Sequence, residues 1–229
     1  VAPSDGAVCI FVEKVMTPSD LSRIDPEVPV IQCNGLGMKR LWEAGLAWLE
    51  ANYETVNALN VFPVPDGDTG TNMLLTLRSA YKEVANSQET HAGHLSRAVY
   101  NGALMGARGN SGVILSQLIR GFARGVQDDA EVDVSSFTKG LHEAVHTAYQ
   151  AVQTPVEGTI LTVAREGSAE AARVSEETAD LRYLITRLVE ECHRSVKRTP
   201  DLLPVLKEAG VVDSGGTGLL YIFEGMQRM

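Results

Sequence analysis

Asn60-Val-Phe-Pro-Val-Pro-Asp-Gly-Asp-Thr-Gly-Thr-Asn72 runs directly into Met73-Leu-Leu-Thr-Leu-Arg-Ser-Ala-Tyr-Lys-Glu-Val84. In the second half, Met73, Leu74, Leu77, Tyr81 and Val84 recur at helical spacing. In the first half, two prolines stiffen a loop that carries Asp66 and Asp68 one glycine apart. A rigid loop that forces two anions together is built to hold a hard cation, and oxygen ligands of this kind suit Mg2+ or Ca2+. Thr69, Gly70, Thr71 and Asn72 open the helix, where unpaired N–H groups and the positive dipole end attract phosphate. The bland alternative is an ordinary turn, in which Asp caps and Gly supplies positive φ. An EF-hand is excluded, because its further acidic ligands are missing at the required offsets.

The helical period continues on both sides of this stretch. Helices are predicted over about 36–58, 70–86, 94–105, 111–126, 134–152, 159–174, 178–198 and from 216, with a short helical turn over 201–209. Their stripes include Leu41, Trp48, Leu49 and Val56 in the first helix and Ile114, Leu118 and Phe122 in the fourth. Phe137, Leu141, Val145, Ala148 and Val152 line the fifth, and Leu181, Ile185, Leu188 and Cys192 the seventh. No β pattern follows residue 33. The fold class is therefore all-α, an eight-helix antiparallel up-and-down barrel or bundle.

The connections alternate in kind. Those over 86–93, 127–133 and 175–178 are plain and polar, whereas 60–72, 106–112, 154–159 and 209–218 are rich in Gly, Asp, Asn, Ser and Thr. In an antiparallel bundle alternate connections lie at one end, so the four unusual loops should share a rim. That parity holds only if 201–209 is not a full bundle helix. Gly106-Ala-Arg-Gly-Asn-Ser-Gly112 follows the logic of a phosphate loop without the Gly-Lys-Ser/Thr ending of a Walker motif. Its small residues, Gly109 and Gly112 among them, let a ligand approach the backbone, and Asn110 or Ser111 can cap the next helix. Arg108 either neutralises phosphate or is a solvated arginine. Thr159 either caps its helix or touches the ligand. Asp213-Ser-Gly-Gly-Thr-Gly218, with Ser214 and Gly215, is either a ligand loop or a flexible turn.

The bulk properties narrow the classes further. The chain has 229 residues and a formal charge of −9 with no basic block, which argues against nucleic acid and anionic membrane. No apolar run approaches the roughly 20 residues that span a bilayer, and no signal peptide is legible. Cys9, Cys33 and Cys192 are odd in number and scattered, as expected for a reducing, cytoplasmic setting. Residues 1–33 read as an N-terminal extension of unknown role, with a short strand over Ala7–Val15, and 34–229 as one domain.

Four segments carry a family resemblance: Asn60–Met73, Gly106–Gln117, Pro155–Arg165 and Val211–Gly216. They resemble the N-terminal ATP-binding domain of the bacterial fatty acid kinases, which is related to the L subunit of dihydroxyacetone kinase. The resemblance covers about Asn34 onward and implies a helical barrel with ATP and two Mg2+ ions at one end and ADP as product. Asp66 and Asp68 would bind the metal and act in catalysis. Asn60 stands nearest to a third Asp of the dihydroxyacetone kinases and is the candidate third metal contact. The phosphate contacts map to Thr69, Gly70, Thr71, Asn72, Gly109, Asn110, Ser111 and Gly112, and the adenine side to the Asp213 region.

The implied activity is a phosphotransferase of phospholipid metabolism. A separate fatty-acid-binding protein presents the acid, further kinase domains lie outside this chain, and a homodimer is left open. A fatty acid carboxylate is already ionised at pH 7, so its attack needs no general base. Two other functions compete. One is a nucleotide-sensing module without turnover. The other is a zinc hydrolase, because His142-Glu-Ala-Val-His146 spells H-E-x-x-H on a helix with Glu166 downstream. Against the hydrolase, both histidines flank an apolar stripe that reads as ordinary packing.

Overall fold

A computed structural model describes residues 28–229. The strand expected over Ala7–Val15 lies outside the described residues. Nine helices occur among them: α1 (Gly35–Ala58), α2 (Thr69–Lys82), α3 (Ala92–Gly106), α4 (Gly109–Gly125), α5 (Val134–Ala151), α6 (Ile160–Ser175), α7 (Leu181–Leu202), α8 (Pro204–Ala209) and α9 (Ser214–Gln227). Each long helix packs on the next along the chain, and α9 packs on both α7 and α1, so eight helices close into a barrel. The expected all-α barrel is the observed fold. α8 has six residues and packs only beside α7. It adds no wall, so the parity that gathers the four polar loops at one rim survives.

Local chemistry sets the helix ends. Asn34 caps α1 by accepting the Gly37 N–H at 3.0 Å. Asp133 and Ser136 form a reciprocal capping box at α5. Asp180 caps α7 and also accepts the Val30 N–H at 3.0 Å, which ties residues ahead of α1 to the start of α7. α7 runs further than its sequence suggests, through Pro200 to Leu202. Proline removes the N–H that would bond the carbonyl four residues back. That carbonyl is Val196, and the Thr199 hydroxyl donates to it at 2.7 Å instead. α2 stops at Lys82, four residues short of expectation, in turns that lead to Ser87.

A two-residue antiparallel ladder pairs β1 (Cys33–Asn34) with β2 (Glu131–Val132). This corrects the expectation of no strand beyond residue 33; two residues are too short for any period to show. Trp42, not Trp48, is the tryptophan of the core. Trp48 is half-buried, donates to Glu224 at 2.6 Å and carries Arg228 over its ring at 3.7 Å.

The core runs along the barrel axis, with Leu49, Met73, Leu77, Leu95, Leu115, Leu184, Leu188 and Ile222 fully enclosed. Each such side chain contributes about 1.5–3 kcal/mol by leaving water. At the seam that closes the ring, a β-carbon on Gly225 would sit 2.3 Å from the Ala44 carbonyl oxygen, so only glycine lets α9 approach α1 this closely. Among the described residues, no helix is long and apolar enough to cross a membrane.

Candidate functional site

The four polar loops converge on one cleft of about 340 Å3. The first loop contributes Asn60, Phe62, Pro63, Val64, Asp66 and Asp68, and α2 adds Thr69 and Asn72. Gly109, Asn110, Ser111 and Ile114 come from the start of α4. Val152, Thr154, Val156, Thr159, Ile160 and Leu161 come from the third loop and α6, and Asp213, Ser214 and Gly215 from the start of α9. Four helices, α2, α4, α6 and α9, thus aim their N-termini at one space.

The N-terminus of α4 is left open, whereas at α2 the N–H groups of Thr69 and Thr71 are already taken by Asn60 and Asn57. Arg108 precedes α4 without a side-chain cap, and the first intrahelical bond runs from the Gly112 N–H to the Arg108 carbonyl at 3.0 Å. The N–H groups of Gly109, Asn110 and Ser111 lie ahead of that bond and face the cleft end of the helix. At α2, Asp68 holds the N-cap position and its side chain makes no capping bond. Open N–H groups beside aligned dipoles form a site for an anion.

The two loop carboxylates fit a divalent cation. Asp66 is exposed and Asp68 half-buried. Neither carboxylate has a hydrogen-bond or ion-pair partner among the described residues. Gly67 between them has φ +67° and nothing within 4 Å of a β-carbon position, so the turn bringing the two acids together uses a conformation glycine adopts freely. Two hard, unneutralised oxygen donors on one turn match the preference of Mg2+.

Not every candidate is open to a ligand. Asn60, the expected third metal contact, engages its side chain within the loop. Its Oδ1 accepts the N–H groups of Asp68 and Thr69, both at 3.2 Å, and the Thr69 hydroxyl at 2.8 Å. Gly70, Thr71 and Gly112 stand behind the lining. A β-carbon on Gly70 would be 2.1 Å from the Tyr53 carbonyl oxygen, and one on Gly112 would be 2.4 Å from the Thr76 hydroxyl. Thr71 is held by Asn57, which accepts its N–H at 3.0 Å and donates to its hydroxyl at 2.9 Å. The others of the nucleotide set, Thr69, Asn72, Gly109, Asn110, Ser111, Thr159, Asp213, Ser214 and Gly215, share the cleft.

Asp213 is the buried acid of the site. Its carboxylate accepts the Gly216 N–H at 2.6 Å and caps α9. Burial pushes its pKa up to about 6, although the N–H groups of Gly216 and Ile160 pull the other way. Its own N–H donates to Thr199 at 3.0 Å, so the hydroxyl that repairs α7 also anchors this loop. Glu157 fixes the third loop from outside. It accepts from Tyr149 at 2.9 Å, Arg165 at 3.0 Å and Thr162 at 2.5 Å. Burial raises the Glu157 carboxyl, but these donors outweigh it and hold it below the ordinary range.

The apolar wall of Ile114, Val152, Val156, Ile160 and Leu161 was absent from the sequence expectation, since such residues read as core stripe. The H-E-x-x-H pair makes no such convergence. His142 and His146 are exposed, His146 contacts Gln150 at 2.9 Å, and Glu166 pairs with Arg198 at 2.7 Å. No group of three His, Cys, Asp or Glu able to hold a metal occurs among the described residues.

The cleft belongs to a recognisable family. Protein YloV of Bacillus subtilis is 52% identical over 182 residues, covering 80% of this chain and 33% of that protein. An uncharacterized protein of Staphylococcus epidermidis is 50% identical over 180 residues, covering 79% of this chain and 33% of its own length. The chain thus spans about a third of the length of the curated relatives it matches. Among solved structures, the dihydroxyacetone kinase from C. freundii in complex with AMP-PNP and Mg2+ matches with a TM-score of 0.63 at 17% identity, over 99% of this chain and 38% of that one. At that identity the likeness speaks for the fold. Residues 63–228 match the family model described as DAK2 domain, and the chain belongs to that family.

Proposed function

We propose that this chain is the nucleotide-binding unit of a kinase. It holds ATP with Mg2+ in the rim cleft and directs the γ-phosphoryl group to a fatty acid carboxylate that a separate lipid-binding protein presents. A carboxylate oxygen bonds to the γ-phosphorus as the bond to the bridging oxygen breaks, giving an acyl phosphate and ADP, and no proton need move. The convergence of two unpartnered carboxylates with the open N-terminus of α4 carries this reading.

Phosphoryl transfer depends on positioning and charge neutralisation more than on covalent help. The first N–H groups of α4 would receive phosphate oxygens, and Asp66 and Asp68 would hold the metal. Mg2+ bound there would offset charge developing on the transferring group. The apolar wall of Val152, Val156, Ile160 and Leu161 offers a surface for the flat base, and Asp213 keeps its loop in place. No histidine or cysteine lines the cleft. An acceptor that arrives ionised asks no carboxylate of the site to act as a base, which leaves Asp66 and Asp68 to the metal. The dihydroxyacetone kinase of C. freundii, of the same fold, was solved with AMP-PNP and Mg2+, which supports the nucleotide and the metal.

Calorimetric titration of the chain with ATP tests the first half: uptake is expected with Mg2+ present and weak uptake without it. ATP consumption that depends on an acyl-loaded partner, with the remaining kinase domains supplied, tests the second. Absence of uptake with Mg2+ would end the kinase reading. Uptake without acyl-dependent consumption would leave a nucleotide sensor.

A further inference from the structure

α2 begins without the cap expected of its own N-cap residue. An Asp at that position ordinarily accepts an N–H from the first helical turn. Asp68 does not. The Thr71 N–H goes instead to Asn57, and those of Asp68 and Thr69 go to Asn60, eight residues upstream of Asp68 and 7% exposed. Its Oδ1 takes the N–H of Asp68, the N–H of Thr69 and the Thr69 hydroxyl, while its Nδ2 donates to the Val64 carbonyl at 2.9 Å.

An amide oxygen has two lone pairs, and three donors already face this one. The other end of the amide is a donor. Neither end is available to a cation. The bonds also bracket Asp66, since Val64 lies two residues before it and Asp68 two after.

We propose that Asn60 is a positioning residue: together with Asn57 it caps α2 in place of Asp68 and so leaves both loop carboxylates unengaged for a divalent cation that it does not itself ligate. This rests on the Mg2+–nucleotide reading above. The amide is required at position 60. A carboxylate there would keep the three donors but set an oxygen against the Val64 carbonyl, and it would add a third negative charge to the loop. The two roles therefore make opposite predictions for one isosteric change. A third carboxylate ligand would tighten a hard cation, whereas a disturbed supporting bond loosens it.

The test is Asn60→Asp, with Mg2+ titrated at fixed ATP and nucleotide uptake read by calorimetry. The half-saturating Mg2+ concentration is expected to rise about tenfold or more, the usual effect of losing a supporting partner. Metal-free nucleotide uptake should barely change, a pattern that general loss of structure would not give. An unchanged or lower Mg2+ requirement overturns the proposal. Amide exchange in the unmodified protein decides the matter independently, should that variant not fold. The Asp68 and Thr69 amides should stay protected when Mg2+ and ATP are added. Faster exchange would mean that the Asn60 oxygen had turned to the cation, and would overturn it. If the unmodified protein takes up no nucleotide with Mg2+, the kinase reading fails by itself. The clamp is then judged on metal-free protein: Asn60→Ala should speed exchange at Asp68 and Thr69, and unchanged exchange refutes it.

Discussion

The barrel contains two hollows built by different means. The inner one, about 60 Å3, is walled by side chains alone, among them Trp42, Leu118, Phe122, Phe137 and Leu141. Its aromatic rings meet edge to face, Trp42 with Phe122 at 6.4 Å and Phe122 with Phe137 at 5.2 Å. The rim cleft joins polar loop residues and helix N-termini to an apolar wall of Ile114, Val152, Val156, Ile160 and Leu161. The first depends on volume and the second on where N–H groups and carboxylates point. α4, α6 and α9 supply both, the flanks through their apolar stripes and the ends through their polar turns. Substitutions should therefore separate stability from ligand chemistry.

The sharpest break is expected at the rim. Asp66→Ala or Asp68→Ala should lower phosphoryl transfer by on the order of 10^3-fold or more, the scale of losing a main electrostatic element of a site. The melting temperature should hold or rise slightly, because neither carboxylate has a protein partner and the two repel each other. Turnover with partner and remaining domains supplied, set beside a melting curve, checks both halves. Equal turnover would erase the distinction between the hollows.

The inner hollow should give the reverse. Phe122→Ala removes a ring that packs on two others, and is expected to cost about 3–5 kcal/mol of stability. Nucleotide affinity per folded molecule should stay unchanged. Denaturant unfolding and calorimetry measure the two quantities, and a matching loss of affinity would show the hollows to be coupled.

Asp213 belongs to both regions, buried like the core yet lining the cleft. Its pKa, raised from 3.8 to about 6, means that the folded state prefers it protonated. Its contribution to stability is thus full below pH 3.8 and is lost as pH climbs through about 6. The loss is on the order of 2–3 kcal/mol. Asp213→Asn should abolish this dependence. Unfolding free energies from pH 4 to 7 check it: the difference, wild type minus variant, should fall by that amount, and a flat difference would show that the carboxyl is not held as its burial implies.

How far the sequence reveals these regions follows from the range of the forces involved. The rim loops were legible because turn chemistry is local: Asp66-Gly-Asp68 and Gly109-Asn-Ser111 announce themselves within a few residues. The eight-helix order was legible because apolar stripes recur every turn. The apolar wall of the cleft was not, since Ile114, Val152 and Leu161 obey the same period whether they face the core or a ligand. Trp48 reads as part of the apolar stripe in place of Trp42 for a related reason. They lie six residues apart on α1, and which is enclosed depends on how α9 and α2 lean against that helix and on Phe122 of α4 reaching Trp42. The role of Asn60 was hidden too, because its partners are set by how the whole loop folds back. The extension of α7 through Pro200 rests on a single hydroxyl, that of Thr199, whose service to Val196 no local pattern shows.

The smallest effect offers the finest separation. Gly109 opens α4 with φ +60°, and a β-carbon there would lie 2.3 Å from the Asn72 amide nitrogen. Gly210 has φ +69° at the end of α8, with nothing within 4 Å of a β-carbon position. Alanine at either site meets the same left-handed backbone penalty, about 1–2 kcal/mol. Only at Gly109 does it also push on a neighbour, and that neighbour stands on α2 across the cleft. Asn72 is the flexible end of a side chain, so it yields, but it yields into the space where the N-termini of α2 and α4 face each other. Both variants should therefore lose similar stability in denaturant, while only Gly109→Ala weakens uptake of ATP with Mg2+, by roughly tenfold, or about 1.4 kcal/mol. Equal affinities in the two variants would mean that the opening of α4 does not face the phosphates, and the anion site would have to be sought at α2 or α9 instead.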